Sequence, residues 1–197
     1  MAVKYTDHVQ GSEIWAMSRC GLITASNASK IMGSGQTRET YLFQLAAERA
    51  NGPDAMEPSF SNDWMRRGNE LEAQARAAFE FANDCQVQEV GLATNSDYPG
   101  CGASLDGLIV GHNDAFEAKC PKPGTLQRYH YRDELPRTYR DQVVFQMLIC
   151  ELDHVNFWAW HPAMDPFYIV VSRDEHACKE MAARINDANV LIERYMK

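Results

Sequence analysis

Two short apolar segments in the middle of the chain carry charged residues where a strand should be apolar. Asp106 lies in ASLDGLIV at 103–110, and Glu117 and Lys119 lie in AFEAKCP at 115–121. Because alternate residues of a strand face the same side, Glu117 and Lys119 point together. A turn around 111–114 pairs the two strands antiparallel and brings Asp106 alongside Glu117. The pattern therefore predicts two carboxylates and one ammonium on one surface of a sheet.

These groups suit a hard divalent cation. Mg²⁺, with Mn²⁺ as a substitute, prefers oxygen ligands, and Asp106, Glu117 and the backbone carbonyl of Ala118 supply them. Such an ion activates water against a phosphodiester, and Lys119 is suited to orient that water or to offset charge in the transition state. A structural interpretation stays open, in which Asp106 caps a turn at Gly107 and Glu117 forms an exposed ion pair with Lys119.

A long helix predicted over 62–83 adds a further acid. Glu72 neighbours Ala75 and Phe79 at the rim of the apolar stripe, where an acid either turns to solvent or meets a cation. We take it as a possible member of the site, and an edge salt bridge with Arg76 is the competing interpretation.

The order of elements predicts an α/β (α+β) fold with a mixed sheet of about five strands flanked by helices, in one domain over 1–197. Helices are expected over 39–50, 62–83, 138–151 and 174–196. A three-strand meander is expected over 87–93, 103–110 and 115–119, followed by strands over 154–160 and 167–172.

Composition excludes several classes of protein. The six cysteines and six histidines are scattered without a CxxC or HExxH motif, which argues against a zinc site or a disulfide framework. No apolar run reaches the length of a membrane span and no signal peptide is evident, so we expect a soluble cytoplasmic protein without membrane contact.

The net charge of −8 argues against a nucleic-acid partner only if the charge is spread evenly. The stretch from Lys119 to Arg140 is locally basic, and only Asp133 and Glu134 oppose its six cations. In the following helix, Tyr139, Gln142 and Gln146 share one polar face. Such a face fits hydrogen bonding to a DNA backbone or to metal-bound water.

Together these segments resemble the lambda-exonuclease family of phage alkaline exonucleases and viral-type recombination nucleases, a branch of the PD-(D/E)xK superfamily with a restriction-endonuclease-like core. The resemblance rests on five blocks in matching order: RCGLITAS at 19–26, RGNELEAQAR at 67–76, SLDGL at 104–108, EAKCP at 117–121 and YRDQVVFQM at 139–147.

The resemblance implies a role for each matching residue. Asp106 and Glu117 match the metal-binding acids, Lys119 the catalytic lysine and Glu72 a helical glutamate near the metals. Residues matching the 5′-phosphate and DNA contacts are Arg19, Ser26, Ser104, Tyr139 and Gln142, with Lys122 and Arg128 as candidates for the phosphate-gripping cation after the E-x-K motif. Leu105 replaces the proline of the superfamily motif.

The resemblance also implies an activity and partners. We expect a Mg²⁺-dependent 5′→3′ exonuclease on linear double-stranded DNA that leaves a 3′ strand for recombination. A homotrimer and a single-strand annealing protein are the implied partners. The alternatives are another nuclease of the superfamily, such as an endonuclease or a single-strand exonuclease, and, ranked lower, a non-catalytic DNA-end-binding module.

Overall fold

The computed structural model describes residues 2–57 and 63–197, and side chains from 2–57 and 71–197. The helices are α1 (Glu13–Ser18), α2 (Ala28–Met32), α3 (Gln36–Asn51), α4 (Asp63–Asn83), α5 (Pro123–Arg132), α6 (Arg137–Cys150) and α7 (Glu175–Tyr195). The strands are β1 (Val3–Tyr5), β2 (Ile23–Thr24), β3 (Val87–Gln88), β4 (Leu92–Asn95), β5 (Cys101–Ser104), β6 (Gly107–Ile109), β7 (Asp114–Lys119), β8 (His154–His161) and β9 (Met164–Ser172).

The strands form two mixed sheets. The larger has five strands in the order β3-β6-β7-β8-β9, with β7 and β8 parallel and the other neighbours antiparallel. The smaller has four strands in the order β1-β4-β5-β2, with only β2 and β5 parallel. The predicted α/β architecture with a five-stranded mixed sheet is therefore confirmed, and the four-stranded sheet is an addition to it.

The predicted meander was wrong in its connections. The expected strand over 103–110 is interrupted at Leu105 and Asp106, where the chain leaves the smaller sheet and enters the larger one. The expected strand over 87–93 is likewise two strands in different sheets. Burial explains the break, because Leu105 turns into the core while Asp106 turns towards β7. The β6–β7 hairpin was predicted correctly, and Gly111 adopts the left-handed backbone that its turn requires.

The long helices match their predicted ranges within a few residues, and local signals explain their ends. Asp174 caps α7 by accepting hydrogen bonds from the amides of His176 and Ala177. Pro123 occupies the first turn of α5, where its missing N–H is not needed. The predicted first residue of the α4 helix, Asn62, lies outside the described residues.

Helix α6 is the central helix of the molecule. Its residues from Val143 to Cys150 are all buried, between the smaller sheet on one side and α2 and α7 on the other. On β7, Phe116 and Ala118 pack against α4, so the alternate residues Glu117 and Lys119 face away from α4. The sheet thereby directs Glu117 towards α6, where the candidate site forms.

No helix in the described part of the chain is long and apolar enough to span a membrane. The six cysteines are all free thiols.

Candidate active site

Strand register brings Asp106 and Glu117 together. Gly107 pairs with Phe116, so Asp106 lies beside Glu117 at the end of the β6–β7 ladder. Asp106 Oδ2 accepts a hydrogen bond of 2.8 Å from the Ala118 amide. This contact fixes Asp106 against β7, and the turn-capping interpretation of Asp106 is wrong.

The Glu117 carboxylate is buried, with 2% of its side chain exposed, and three side chains donate to it. Lys119 and Gln142 donate to Oε1, the latter at 2.6 Å, and Gln146 donates to Oε2 at 2.6 Å. An ionised carboxylate accepts about four hydrogen bonds, so one position on Glu117 stays available for another ligand. The ion pair that the alternative interpretation gave Glu117 and Lys119 is present, but it is largely buried and not exposed.

Gln146 is a site residue for which the sequence gave only a weak signal. The sequence placed it on a polar face with Gln142, suited to DNA or metal-bound water, but it gave no sign that the side chain is fully buried among apolar residues of α6. Its Oε1 atom has no hydrogen-bond partner among the described residues. Burying an amide among apolar residues costs free energy unless the amide is hydrogen-bonded. The hydrogen bond from Gln146 to Glu117 therefore offsets part of this cost.

Lys119 lies between the acids and an aromatic ring. Its ammonium is 5.2 Å from the centre of the Tyr139 ring. Burial alone would lower the pKa of Lys119, but Glu117 and Asp106 raise it above its ordinary value, so Lys119 stays charged. Charged Lys119 is therefore a donor and a source of positive charge in the cleft.

Glu72 faces the same cleft, and the predicted alternative partner Arg76 forms its ion pair with Glu89 instead. Burial raises the pKa of Glu72, and Lys119 and Arg76 partly oppose this shift. Burial also raises the pKa of Asp106 well above its ordinary value, and Glu117 adds to the effect. The cleft therefore holds three carboxylates around one lysine.

This composition fits a divalent cation. If all three carboxylates ionise, they exceed the charge of the single ammonium by two, and one divalent ion would offset that excess. Among the described residues, no three His, Cys, Asp or Glu side chains lie close enough to form a metal site alone. Asp106 and Glu117 would thus need the Ala118 carbonyl and water as further ligands, which is usual for Mg²⁺.

The other end of the cleft is suited to an anion. The Arg19 guanidinium stacks 4.3 Å from the centre of the Trp15 ring and donates to Ser26 Oγ at 3.3 Å. The Trp15 indole N–H donates to Ser104 Oγ at 3.1 Å. Arg19 has no carboxylate partner among the described residues, and its buried Nε has no hydrogen-bond partner there. Trp15 thus joins the predicted phosphate-binding residues, although its position in the sequence gave no signal of this role.

The two ends form one cleft of about 610 Å³. It brings together the predicted residues Arg19, Ser26, Glu72, Ser104, Asp106, Glu117, Ala118, Lys119, Tyr139 and Gln142. Lys122 and Arg128, the two remaining candidates, do not line the cleft. Lys122 is exposed at the start of α5, and Arg128 is exposed on the outer face of that helix. The lining residues that the sequence did not single out are Gln10, Trp15, Thr24, Ala25, Cys120 and Pro121.

The fold and the acid–lysine cleft define a nuclease-type protein, and comparison with known proteins identifies its family. Residues 14–153 match the YqaJ-like viral recombinase domain, so the chain belongs to this family, which indicates a nuclease role. The predicted resemblance to viral-type recombination nucleases is confirmed. No curated protein sequence matches the chain.

Solved structures show the same fold. LHK-Exo, an alkaline exonuclease from Laribacter hongkongensis, is 26% identical over 94% of each chain, with a TM-score of 0.86 for its dAMP complex and 0.84 for a second structure. A phage-related exonuclease from Haemophilus somnus 129PT is 13% identical, covers 88% of this chain and 94% of its own, and superposes with a TM-score of 0.67. The latter likeness concerns the fold.

Proposed function

We propose that this chain is a Mg²⁺-dependent exonuclease that degrades linear double-stranded DNA in the 5′→3′ direction and leaves a 3′ single strand for recombination. The observation that carries the proposal is the single cleft that joins Asp106, Glu117 and Lys119 to the Arg19–Ser26 end. A cation site beside an anion site is the arrangement that phosphodiester hydrolysis needs.

Asp106, Glu117 and the Ala118 carbonyl are the proposed ligands of the metal ion. When bound, the ion supplies Lewis acidity to the scissile phosphate and lowers the pKa of a water ligand. Lys119, held by Glu117, donates to the attacking water or to the developing negative charge. Glu72 provides a further carboxylate at the rim, suited to a second ion or to the proton of the attacking water.

Arg19, Ser26 and Ser104 would hold the terminal 5′ phosphate. A guanidinium and two hydroxyls match the oxygens of a phosphate, and charge-assisted bonds of this kind are the stronger ones. Binding of the terminal phosphate at one end places the adjacent phosphodiester nearer the acids. This spacing would give the enzyme its polarity and its preference for phosphorylated ends.

The likeness to LHK-Exo supports this assignment. That protein is an alkaline exonuclease and has been crystallised with dAMP, a nucleoside monophosphate. A mononucleotide carries a phosphate and a base, and it is the product expected when this cleft removes one residue at a time. Tyr139 and Gln142, on the first half of α6, form the wall beside it.

Digestion of matched linear and covalently closed DNA tests the proposal, with Mg²⁺, with Mn²⁺ and with EDTA. We expect either metal to support digestion of the linear form only, and EDTA to stop it. Cutting of closed circles would assign the chain to the endonuclease alternative. Binding without cleavage under every condition would leave the end-binding alternative.

The assembly and the recombination partner are proposed from the family resemblance. We propose a homotrimer around the DNA and an annealing protein that receives the 3′ strand. Light scattering coupled to size exclusion tests the first proposal, with three times the mass of the 22.3 kDa chain expected. A monomer at working concentration would contradict it.

A further inference from the structure

The outer face of α5 carries an exposed aromatic ring between two arginines. Tyr131 is 88% exposed, and no described ring stacks on it. Arg128 lies three residues before Tyr131 and four residues before Arg132, so its side chain neighbours both of theirs on the helix surface. A tyrosine this exposed contributes little to the stability of the fold, because it buries almost no apolar area.

The charge of this surface contrasts with that of the whole chain, which is −8. Arg128, Arg132, Arg137 and Arg140 are all exposed, and none forms an ion pair with a side chain that the structure describes. The acids near this surface include Asp133 and Glu134 at the end of α5, Asp165 beside His130, and Asp174 beside Arg137 and Arg140. Asp141 follows Arg140, and burial raises its pKa while Arg140 partly opposes the shift. Cations without partners on an acidic protein indicate a polyanionic ligand.

The surface is anchored firmly beside the cleft. Leu126 and Tyr129, on the inner face of α5, pack with Phe157 and Phe167 of the larger sheet. Tyr139, which lines the cleft, packs against the same cluster. Helix α5 begins two residues after Pro121, another cleft-lining residue. The helix that carries these residues is therefore held in a fixed position next to the cleft.

We propose that Arg128, Tyr131 and Arg132 form a binding surface for single-stranded DNA. The arginines contact consecutive phosphates, and the Tyr131 ring stacks on an unpaired base. Duplex DNA does not expose the faces of its bases, so an aromatic platform favours the single strand. The inference rests on the proposed function for the source of the ligand, which is the 3′ strand left by digestion.

Fluorescence anisotropy with labelled oligothymidylate and with a blunt duplex tests the surface, in EDTA so that no DNA is degraded. Tyr131→Ala is expected to weaken single-strand binding by roughly 5- to 100-fold, the range for loss of one stacked base. Tyr131→Phe keeps the ring and should stay within about twofold of the wild type. Arg128→Gln should reduce the salt dependence of single-strand binding by about 0.7 in log–log slope.

Phe81→Ala is the matched control. Phe81 is 91% exposed on α4, but its neighbours Glu80 and Asp84 are acidic, so its loss should leave DNA binding unchanged. Unchanged single-strand binding by Tyr131→Ala would overturn the proposal. Equal weakening by Tyr131→Phe and Tyr131→Ala would also overturn it, since the hydroxyl rather than the ring would then be responsible.

An equal effect of Tyr131→Ala on duplex and single strand would overturn the preference for unpaired DNA. These outcomes are distinct from failure of the proposed function, because binding is measured without metal. A wild-type protein that binds oligothymidylate through Tyr131 but digests no linear DNA in Mg²⁺ would refute the nuclease and leave the surface standing.

Discussion

At the residue scale, the cleft holds more negative charge than the protein itself offsets. Asp106, Glu117 and Glu72 surround one lysine, and burial raises the pKa of Asp106 and of Glu72. A raised carboxyl pKa in the folded state means that ionisation of the group opposes folding. The acids of the site therefore lower the stability of the cation-free protein, and the same charges favour binding of a cation.

Asp106→Asn is expected to stabilise the metal-free protein while abolishing digestion. Between the ordinary aspartate pKa and the raised pKa of Asp106, the folded protein holds a proton that the unfolded chain has released. The free energy of unfolding of the wild type therefore falls as pH rises through this window. The asparagine variant does not lose this stability, because its side chain does not ionise. Thermal melts in EDTA should show a higher melting temperature at neutral pH, by roughly 2–4 °C per kcal/mol gained, and no difference in strong acid. A variant that melts below the wild type at neutral pH would contradict this account of Asp106.

Gln146→Leu is expected to weaken metal binding by roughly 10- to 100-fold, the usual effect of losing a group that orients a ligand. The leucine fills the buried space but cannot donate to Glu117 Oε2. Calorimetric titration with Mn²⁺ measures the affinity without any nuclease assay. Val143→Ala, on the same buried helix and with no side-chain donor for Glu117, controls for lost packing. Equal metal affinity in wild type and Gln146→Leu would remove Gln146 from the site.

Arg19→Ala is expected to reduce the preference for 5′-phosphorylated ends. A hydrogen bond to a charged group contributes about 1.5–3 kcal/mol, so the ratio of rates on phosphate and hydroxyl ends should fall by roughly 10- to 100-fold. Digestion of two duplexes that differ only in the 5′ group measures this ratio. An unchanged ratio would show that Arg19 does not hold the phosphate.

At the element scale, the turn between α1 and β2 fixes the anion end of the cleft. Gly21 has a φ of +68°, its amide donates to Glu48 Oε2 at 2.7 Å, and its carbonyl accepts from Arg49 Nε at 2.7 Å. Glu48 and Arg49 of α3 therefore both hydrogen-bond to the backbone of Gly21, two residues after Arg19. The turn therefore helps to position the backbone of Arg19, while Trp15 and Ser26 contact its guanidinium.

Gly21→Ala is expected to destabilise the protein by about 1–2 kcal/mol and to lower the 5′-phosphate preference as well. The left-handed backbone disfavours a Cβ, and that Cβ would lie 2.7 Å from Arg49 Cγ. Gly35→Ala is the control, because Gly35 has a similar φ of +72° but nothing within 4 Å of its Cβ. Denaturant melts and the end-preference assay together check the prediction. If both variants keep the same end preference, the turn does not position Arg19.

Elements with strong local signals could be predicted from the sequence, and those that depend on distant partners could not. Helices α3, α6 and α7 follow their apolar periodicity, and the β6–β7 register follows from a short turn. Strand β2 has two residues and is defined by parallel pairing with β5, more than seventy residues later. The burial of Gln146 likewise depends on how α6 packs, which its own sequence does not encode.

At the scale of the whole molecule, charge is separated between surfaces. The chain as a whole carries an excess of acids. Among the side chains that the structure describes, most exposed arginines lie on α5 and the start of α6, next to the cleft. Acidic surfaces repel DNA, so productive encounters are directed to the basic side. The proposed trimer would place three such sides around one duplex.

Strand-specific release from a linear duplex tests the central claim most directly. The duplex carries a 5′ phosphate and a label at either the 5′ or the 3′ end of one strand, and digestion is followed in Mg²⁺ with wild type and with Asp106→Ala. We expect early release of the 5′ label, late release of the 3′ label, and no release by the variant. Early release of the 3′ label, or undiminished release by Asp106→Ala, would contradict the central claim.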